Sequence, residues 1–278
     1  MISVRKVSDT RTGWKVDLSF QINLHSKDLA VLKLIQDYFK GVGAIHYNER
    51  RNSVNLMVGS LEEISNVIIP HFDKYPLITK KFADYFLWRK VVMMVSRKEH
   101  LNTDGLQAII NIRAGINLGL SELLKKEFPN TVVVKKLLME NPVIPDPQWI
   151  AGFTAGEGCF FISTFKSKTK IGVAVRLKFI LVQHVRDEQL IKSFIEYFGC
   201  GNVQLSKEAV YFVVEKFSDL EIKIIPFFVK YTIIGVKGQD FQDFLRAAEL
   251  IKEKKHLTQQ GLDRIRKIKD GMNKGRSV

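Results

Sequence analysis

Residues 68–85 read IIPHFDKYPLITKKFADY, and residues 224–241 read IIPFFVKYTIIGVKGQDF. Ile68, Ile69 and Pro70 recur as Ile224, Ile225 and Pro226, and Lys74 and Tyr75 recur as Lys230 and Tyr231. Ile78, Lys81 and Asp84 recur as Ile234, Lys237 and Asp240, a constant shift of 156 residues. The register holds downstream. KEHLNTDGLQAIINIRAGINLG from Lys98 matches KKHLTQQGLDRIRKIKDGMNKG from Lys254, with His100, Leu101, Gly105, Leu106, Ile109, Ile112, Gly115, Asn117 and Gly119 all repeated. Upstream, VDLSFQINLHSKD from Val16 matches VRLKFILVQHVRD from Val175 at a shift of 159, which fits shorter turns in the second half. Self-similarity in one register marks a duplicated structural unit.

Each copy reads β-β-α-β-β-α. The first hairpin is expected at about 2–8 and 13–24, mirrored at about 160–167 and 172–184. Val173, Val175, Leu177, Phe179 and Leu181 alternate with Ala174, Arg176, Lys178, Ile180 and Val182, so one strand face is apolar and the other carries cations. A helix follows (28–39, 187–198), then a second hairpin (44–49 and 53–59; 202–206 and 209–215). Helices at about 61–73, 80–95 and 103–117 complete the first copy, with counterparts at about 217–229, 236–252 and 259–272. The expected class is α+β: two pseudo-symmetric α/β repeats, each a four-stranded antiparallel sheet backed by helices. The first repeat is placed at 1–118, a linker with a short helix near 120–127 at 119–146, and the second repeat at 147–278.

Composition narrows the partner. Lys and Arg number 43 against 29 Asp and Glu, a formal net charge of +14. Such an excess points to a polyanion. No apolar run reaches the roughly 18 residues that a membrane span needs, and the polar opening MISVRKVSDTRTG has no secretory h-region, so no membrane partner is expected. Cys159 and Cys200 offer neither metal-ligand spacing nor a disulfide framework.

The second copy opens with DPQWIAGFTAGEGCFF, residues 146–161. Asp146 suits a helix N-cap and Pro147 the first helical position. Ala151, Gly152, Ala155 and Gly156 then form a stripe of small residues. Each helical glycine costs about 1 kcal/mol, and close approach of another backbone is one reason to keep two. Glu157 falls at the helix C-terminus, where the macrodipole is negative and a cation would relieve the anion.

WIAGFTAGEG resembles the second LAGLIDADG motif of single-chain, two-repeat homing endonucleases of fungal mitochondrial group I introns. The resemblance extends over essentially the whole chain. It implies saddle-shaped sheets, two motif helices packed side by side where the halves meet, and an acidic residue at each helix end that binds divalent metal and activates water. By position that residue is Glu157, with the Gly156 carbonyl as a further metal contact. The resemblance favours Mg²⁺, in keeping with hard oxygen ligands. It also implies a basic pocket at the scissile phosphates, for which Lys81 and Lys237 are candidates, and a pocket glutamine, for which Gln183 is the candidate; the repeat partner of Gln183 is Leu24. His100 and His256 recur as well, and a capping or packing role suits them better than a catalytic one.

By the repeat, the first-half partner of Glu157 would precede Met1, and nothing in 1–60 resembles the motif. The reading from sequence is a chain without the N-terminal LAGLIDADG helix, with cleavage expected to be weak or limited to nicking.

Each hairpin sheet is expected to lie in the major groove with its polar face on the bases. Alternation nominates Arg5, Arg11, Lys15, Asp17, Ser19, Gln21, Asn23 and His46 in the first half. In the second it nominates Ser163, Lys168, Lys170, Arg176, Lys178, Asn202 and Gln204, with Lys207 on phosphate. Two unlike sheets imply a long, asymmetric double-stranded DNA site and a monomeric protein. The alternatives are an RNA maturase assisting group I intron splicing and a degenerate DNA-binding protein. A mitochondrial, organelle-encoded location follows from the resemblance alone.

Overall fold

The computed structural model describes residues 1–117, 119–137 and 142–276. The chain divides into two compact units, Met1–Glu140 and Asn141–Val278.

The first unit begins with strands β1 (Ile2–Lys6), β2 (Trp14–Leu18) and β3 (Phe20–His25), followed by helix α1 (Leu29–Tyr38). Strands β4 (Ala44–Asn48) and β5 (Ser53–Val58) form the second hairpin. β1 pairs with β2, while β5 lies between β3 and β4, all antiparallel. The expected long strand 13–24 is therefore divided at Ser19. There the N–H donates to the Met1 carbonyl at 3.0 Å, and from Phe20 onward the strand pairs with β5 instead of β1. Ile2, Trp14, Val16 and Leu18 face inward onto Val58, Ile64, Ile68, Leu87, Val91 and Ile109.

Helix α2 (Leu61–Glu63) passes through a π turn, Ile64–Ile68, into α3 (Ile69–Lys74). The second unit repeats this with α9 (Phe217–Asp219), the turn Leu220–Ile224 and α10 (Ile225–Lys230). Pro70 and Pro226 sit in the first turn of α3 and α10. A proline lacks the N–H for an ordinary helical bond, and its ring crowds the carbonyl four residues back. A wider turn before it relieves both problems.

Helices α4 (Lys81–Ser96), α5 (Thr103–Ala114) and α6 (Glu122–Glu127) complete the first unit. The stretch expected as a linker packs on this unit for most of its length. Phe128 lies 5.2 Å from Trp14, the Val132 N–H donates to Asn111 Oδ1 at 3.0 Å, and Lys136 pairs with Asp84 at 2.5 Å.

The second unit contains α7 (Pro147–Glu157), β6 (Gly158–Lys166), β7 (Val173–His184), α8 (Glu188–Phe198), β8 (Asn202–Leu205) and β9 (Ala209–Val214). After α9 and α10 come α11 (Val236–Lys252) and α12 (Gln259–Asp270). Its sheet has four strands in the order β6-β7-β9-β8. Phe160, Phe179, Phe194, Phe212, Phe228 and Phe244 are fully buried between sheet and helices. Burial of one such side chain is worth roughly 1.5–3 kcal/mol.

The duplication extends to individual contacts. The His71 ring touches Tyr38, Phe39, Phe72 and Tyr75, with centroids 4.9–5.5 Å away. Phe227, its repeat partner, touches Tyr197, Phe198, Phe228 and Tyr231. Gly105 and Gly261 recur because a Cβ at either would overlap the carbonyl oxygen of Glu99 or Lys255. Among the described residues, no helix is long and apolar enough to cross a membrane.

Candidate nucleic-acid interface and active site

Helix α7 starts as its sequence predicts. Asp146 accepts from the Gln148 N–H at 2.7 Å, and Pro147 takes the first helical position. Ile150, Ala151 and Thr154 are buried, and Phe153 stacks between Trp149 and Phe194. The expected small-residue stripe thus splits. Ala151 belongs to the unit's own core, whereas Gly152 and Gly156 are exposed and a Cβ on either would meet nothing within 4 Å. The helix stops at Gly158, whose N–H donates to the Thr154 carbonyl and where a Cβ would overlap Thr154. Glu157 is exposed at this junction, beside the last-turn carbonyls that have no helical donors of their own.

Lys237 stands at the start of α11, with Nζ 3.7 Å from Asp240 Oδ2. Asp240 is 1% exposed. It accepts from the Asn273 N–H at 3.0 Å and from Arg276 Nε at 3.1 Å. Asn273 in turn donates through Nδ2 to the Phe160 carbonyl at 3.1 Å, and Cys159 Sγ contacts Asn273 Oδ1 at 3.9 Å. Burial raises the Cys159 thiol's pKa above its ordinary value. The nearby Lys237 charge pulls it down and Asp240 pushes it up. One network therefore joins the start of α11 to β6, two residues beyond Glu157. Gln183 lies two positions past the Gly158↔Leu181 pair and opposite Val210, at the same end of the sheet. By alternation it shares the face of Phe179 and Leu181, and its Oε1 accepts from the His184 N–H at 3.1 Å.

The first-unit counterpart is wired differently. Lys81 opens α4, is exposed, and donates its N–H to Thr79 Oγ1 at 3.3 Å. Asp84, the partner of Asp240, is held by Lys136. His100 and His256 follow Lys98 and Lys254, both in left-handed backbone conformation, and their Nδ1 atoms are buried.

The outer sheet faces are polar. In the first unit Asn23 pairs with Asn55 and His46 pairs with Asn55, forming one cross-strand row; Gln21 is exposed one row away. Arg5 and Lys15 are cross-strand partners, and both reach Asp17. Ser19 is a correction. It is 8% exposed, and its hydroxyl accepts from Gln21 Nε2 at 2.9 Å, so it is covered where the strand changes partners. Arg11, Lys168, Lys170 and Lys207 lie in exposed hairpin turns rather than on strands.

In the second unit Ser163 pairs with Arg176, and its hydroxyl donates to the Arg176 carbonyl at 3.3 Å; Phe161 pairs with Lys178. Asn202 and Gln204 are exposed on the edge strand β8. Sequence reasoning missed Glu215, which meets Lys178 at 2.9 Å and Arg176 at 3.7 Å. It also missed Asn55, although its alternation with buried Val54 and Leu56 was readable.

The family model described as LAGLIDADG endonuclease matches residues 1–92 and 150–248, more than half of the chain. The chain belongs to this family. Two Neurospora crassa proteins, probable intron-encoded endonucleases 2 and 3, are 38% and 39% identical over 98% and 95% of this chain. The chain spans 62% and 50% of the length of these two curated relatives. The crystal structure of the I-SmaMI LAGLIDADG homing endonuclease bound to cleaved DNA superposes with a TM-score of 0.97. It is 41% identical, and the match covers 100% of this chain and 93% of that one. The same protein has been described bound to uncleaved DNA in the presence of calcium ions. Within this LAGLIDADG chain, the second stretch matched by the family model begins at Ile150, inside α7.

Proposed function

We propose that this LAGLIDADG chain is a site-specific double-stranded DNA endonuclease that hydrolyses phosphodiester bonds with divalent metal ions. The observation that carries the reading is the placement of Glu157. The residue is exposed at the C-terminal end of α7, in a unit whose Lys237 network reaches the adjoining strand.

The donors fit a hard divalent ion such as Mg²⁺: the Glu157 carboxylate and the last-turn carbonyls, Gly156 among them, are all oxygen. Among the described residues no group of three or more His, Cys, Asp or Glu could hold a metal. Mg²⁺ tolerates this, because it is commonly bound through one or two carboxylates and completes its shell with water and phosphate. Bound there, the ion would supply charge neutralisation and a lowered pKa for water.

The chain's own residues do the rest. Glu157 fixes the reacting centre at the helix end. Lys237 places a cation for the phosphate, restrained by Asp240, and Lys81 offers an exposed one. Gln183 supplies a carboxamide at the same sheet end. The polar sheet faces bind the duplex, with Arg11, Lys168, Lys170 and Lys207 reaching phosphates from the turns. We further read the protein as a monomer encoded within an organellar, mitochondrial intron, supported by the relatives' description as intron-encoded.

The test is cleavage of a plasmid library carrying randomised inserts in Mg²⁺, read by sequencing cut ends. Cuts at one site are expected, with Glu157→Gln abolishing them while a gel shift in Ca²⁺ persists. Undiminished cutting by Glu157→Gln would overturn the reading.

A further inference from the structure

On each outer sheet face a single carboxylate holds two cations. In the first unit Asp17 meets Arg5 Nε at 2.9 Å and Lys15 Nζ at 3.3 Å. In the second, Glu215 meets Lys178 at 2.9 Å and Arg176 at 3.7 Å. The strand register explains the second cluster. Phe179 pairs with Val214, so continuing one residue sets Glu215 across from Lys178, with Arg176 diagonal to it. The Arg176 guanidinium is also fixed over the Phe165 ring, 5.0 Å from its centroid.

The duplication does not account for this likeness. The repeat shift from Asp17 lands on Arg176, and that from Glu215 lands back on Gly59. The same arrangement is therefore built from non-equivalent positions in the two units. Stability does not account for it either. Arg5 is 58%, Lys15 51% and Arg176 47% exposed at the side chain, and even Lys178, the most covered of the four cations, is 28% exposed against Glu215 at 38%. Ion pairs so exposed contribute little to folding. What the carboxylates do change is where the cations point and how strongly they are drawn to phosphate.

We propose that Asp17 and Glu215 are specificity-determining residues, each holding a pair of cations in the orientation that reads base edges and away from the phosphate backbone. This rests on the DNA-binding reading above. A free arginine or lysine beside a duplex is drawn to phosphate, which adds affinity without sequence information. A cation tethered over the strand face keeps the geometry for a guanine edge. Both carboxylates stay ionised to support this. Burial is the largest single effect on Asp17 and raises its pKa, but hydrogen bonds from Arg5 and Lys15 and the charges of both together outweigh it and hold the pKa below the ordinary value. The Lys178 hydrogen bond lowers that of Glu215.

The experiment uses the full chain, a duplex library randomised over about 20 base pairs, and a fixed unselected duplex. Glu215→Gln and Asp17→Asn are compared with the parent by sequencing of bound DNA, affinity for the unselected duplex, and melting temperature. Each substitution is expected to cut discrimination about tenfold at a few adjacent base pairs. Unselected DNA should bind more tightly, with melting unchanged. In an Arg176→Met, Lys178→Met background, Glu215→Gln should change the profile no further. A parent that selects sequences while Glu215→Gln keeps the same profile overturns the inference alone. A parent that enriches nothing overturns the DNA reading and the inference with it.

Discussion

Arg276 donates to Asp240 at 2.8 Å and so fastens the last described residue of the chain to the second turn of α11. Arg276 also reaches Asp243, and Lys237 and the Asn273 N–H share Asp240. With Asp240 at 1% and the Arg276 side chain at 17% exposure, this is the most buried charge cluster described in the chain.

Replacing Asp240 by Ala removes one acceptor from a buried network and leaves Arg276 underpaired. Breaking a buried pair by deleting one partner costs about 3–5 kcal/mol. Urea unfolding of Asp240→Ala is expected to show a loss near the lower end, because Asp243 still holds Arg276. A loss under about 1 kcal/mol would mean that the network is not formed in solution.

His71 fills in the first unit the place of Phe227 in the second, with the equivalent four ring neighbours. Burial lowers its pKa below the ordinary 6.5, and the same cause lowers that of His100. The unfolded chain therefore takes up these protons first. The stability contribution is fully present above pH of about 6.5 and is lost as pH falls from there through the folded values. His71→Phe should remove part of this acid loss and leave stability at pH 8 nearly unchanged. Thermal melts at pH 5, 6 and 8 measure it, and an identical pH slope in both proteins would contradict the assignment.

Gly158 is required by contact. A Cβ there overlaps Thr154, which is itself fully buried and has no room to retreat. Overpacking of this kind typically costs about 1–3 kcal/mol. Gly158→Ala is expected to destabilise the chain by that amount in equilibrium unfolding. A neutral result would show that the turn from α7 into β6 is looser than drawn.

The repeat made most of the fold legible, because one register aligned hairpins and helices in both halves. The π turns before Pro70 and Pro226 were not readable from the periodicity of α2 and α9, since a single extra residue leaves the apolar pattern intact. The division of the first sheet at Ser19 was equally hidden, because alternation reports which face a residue takes and not which strand it pairs with. Glu157 stood out as an acid at a helix end between glycines. The Asp240 network did not, because Asn273 and Arg276 lie more than 30 residues from Asp240 and their meeting depends on how α12 packs on α11. The contact of the linker stretch with the first unit was hidden for the same reason, since Lys136 finds Asp84 only once α4 is in place.

Lys237 and Lys81 occupy equivalent positions but are held differently, and this predicts unequal consequences. The Lys237 side chain is 22% exposed and tethered to Asp240, whereas Lys81 opens α4 at an exposed position. A preplaced cation costs no reorganisation when charge develops on phosphate, while a mobile one must first be ordered. Removing one preorganised donor of this kind typically lowers turnover by about 100-fold or more. Lys237→Met should therefore slow hydrolysis on that scale with duplex affinity nearly kept, and Lys81→Met should slow it less. Following each strand separately, with one end label per strand, reads the difference. The expected pattern is accumulation of one nicked strand in Lys237→Met, and the opposite strand, more weakly, in Lys81→Met. Equal slowing of both strands by both variants would show that the tether to Asp240 has no part in the chemistry.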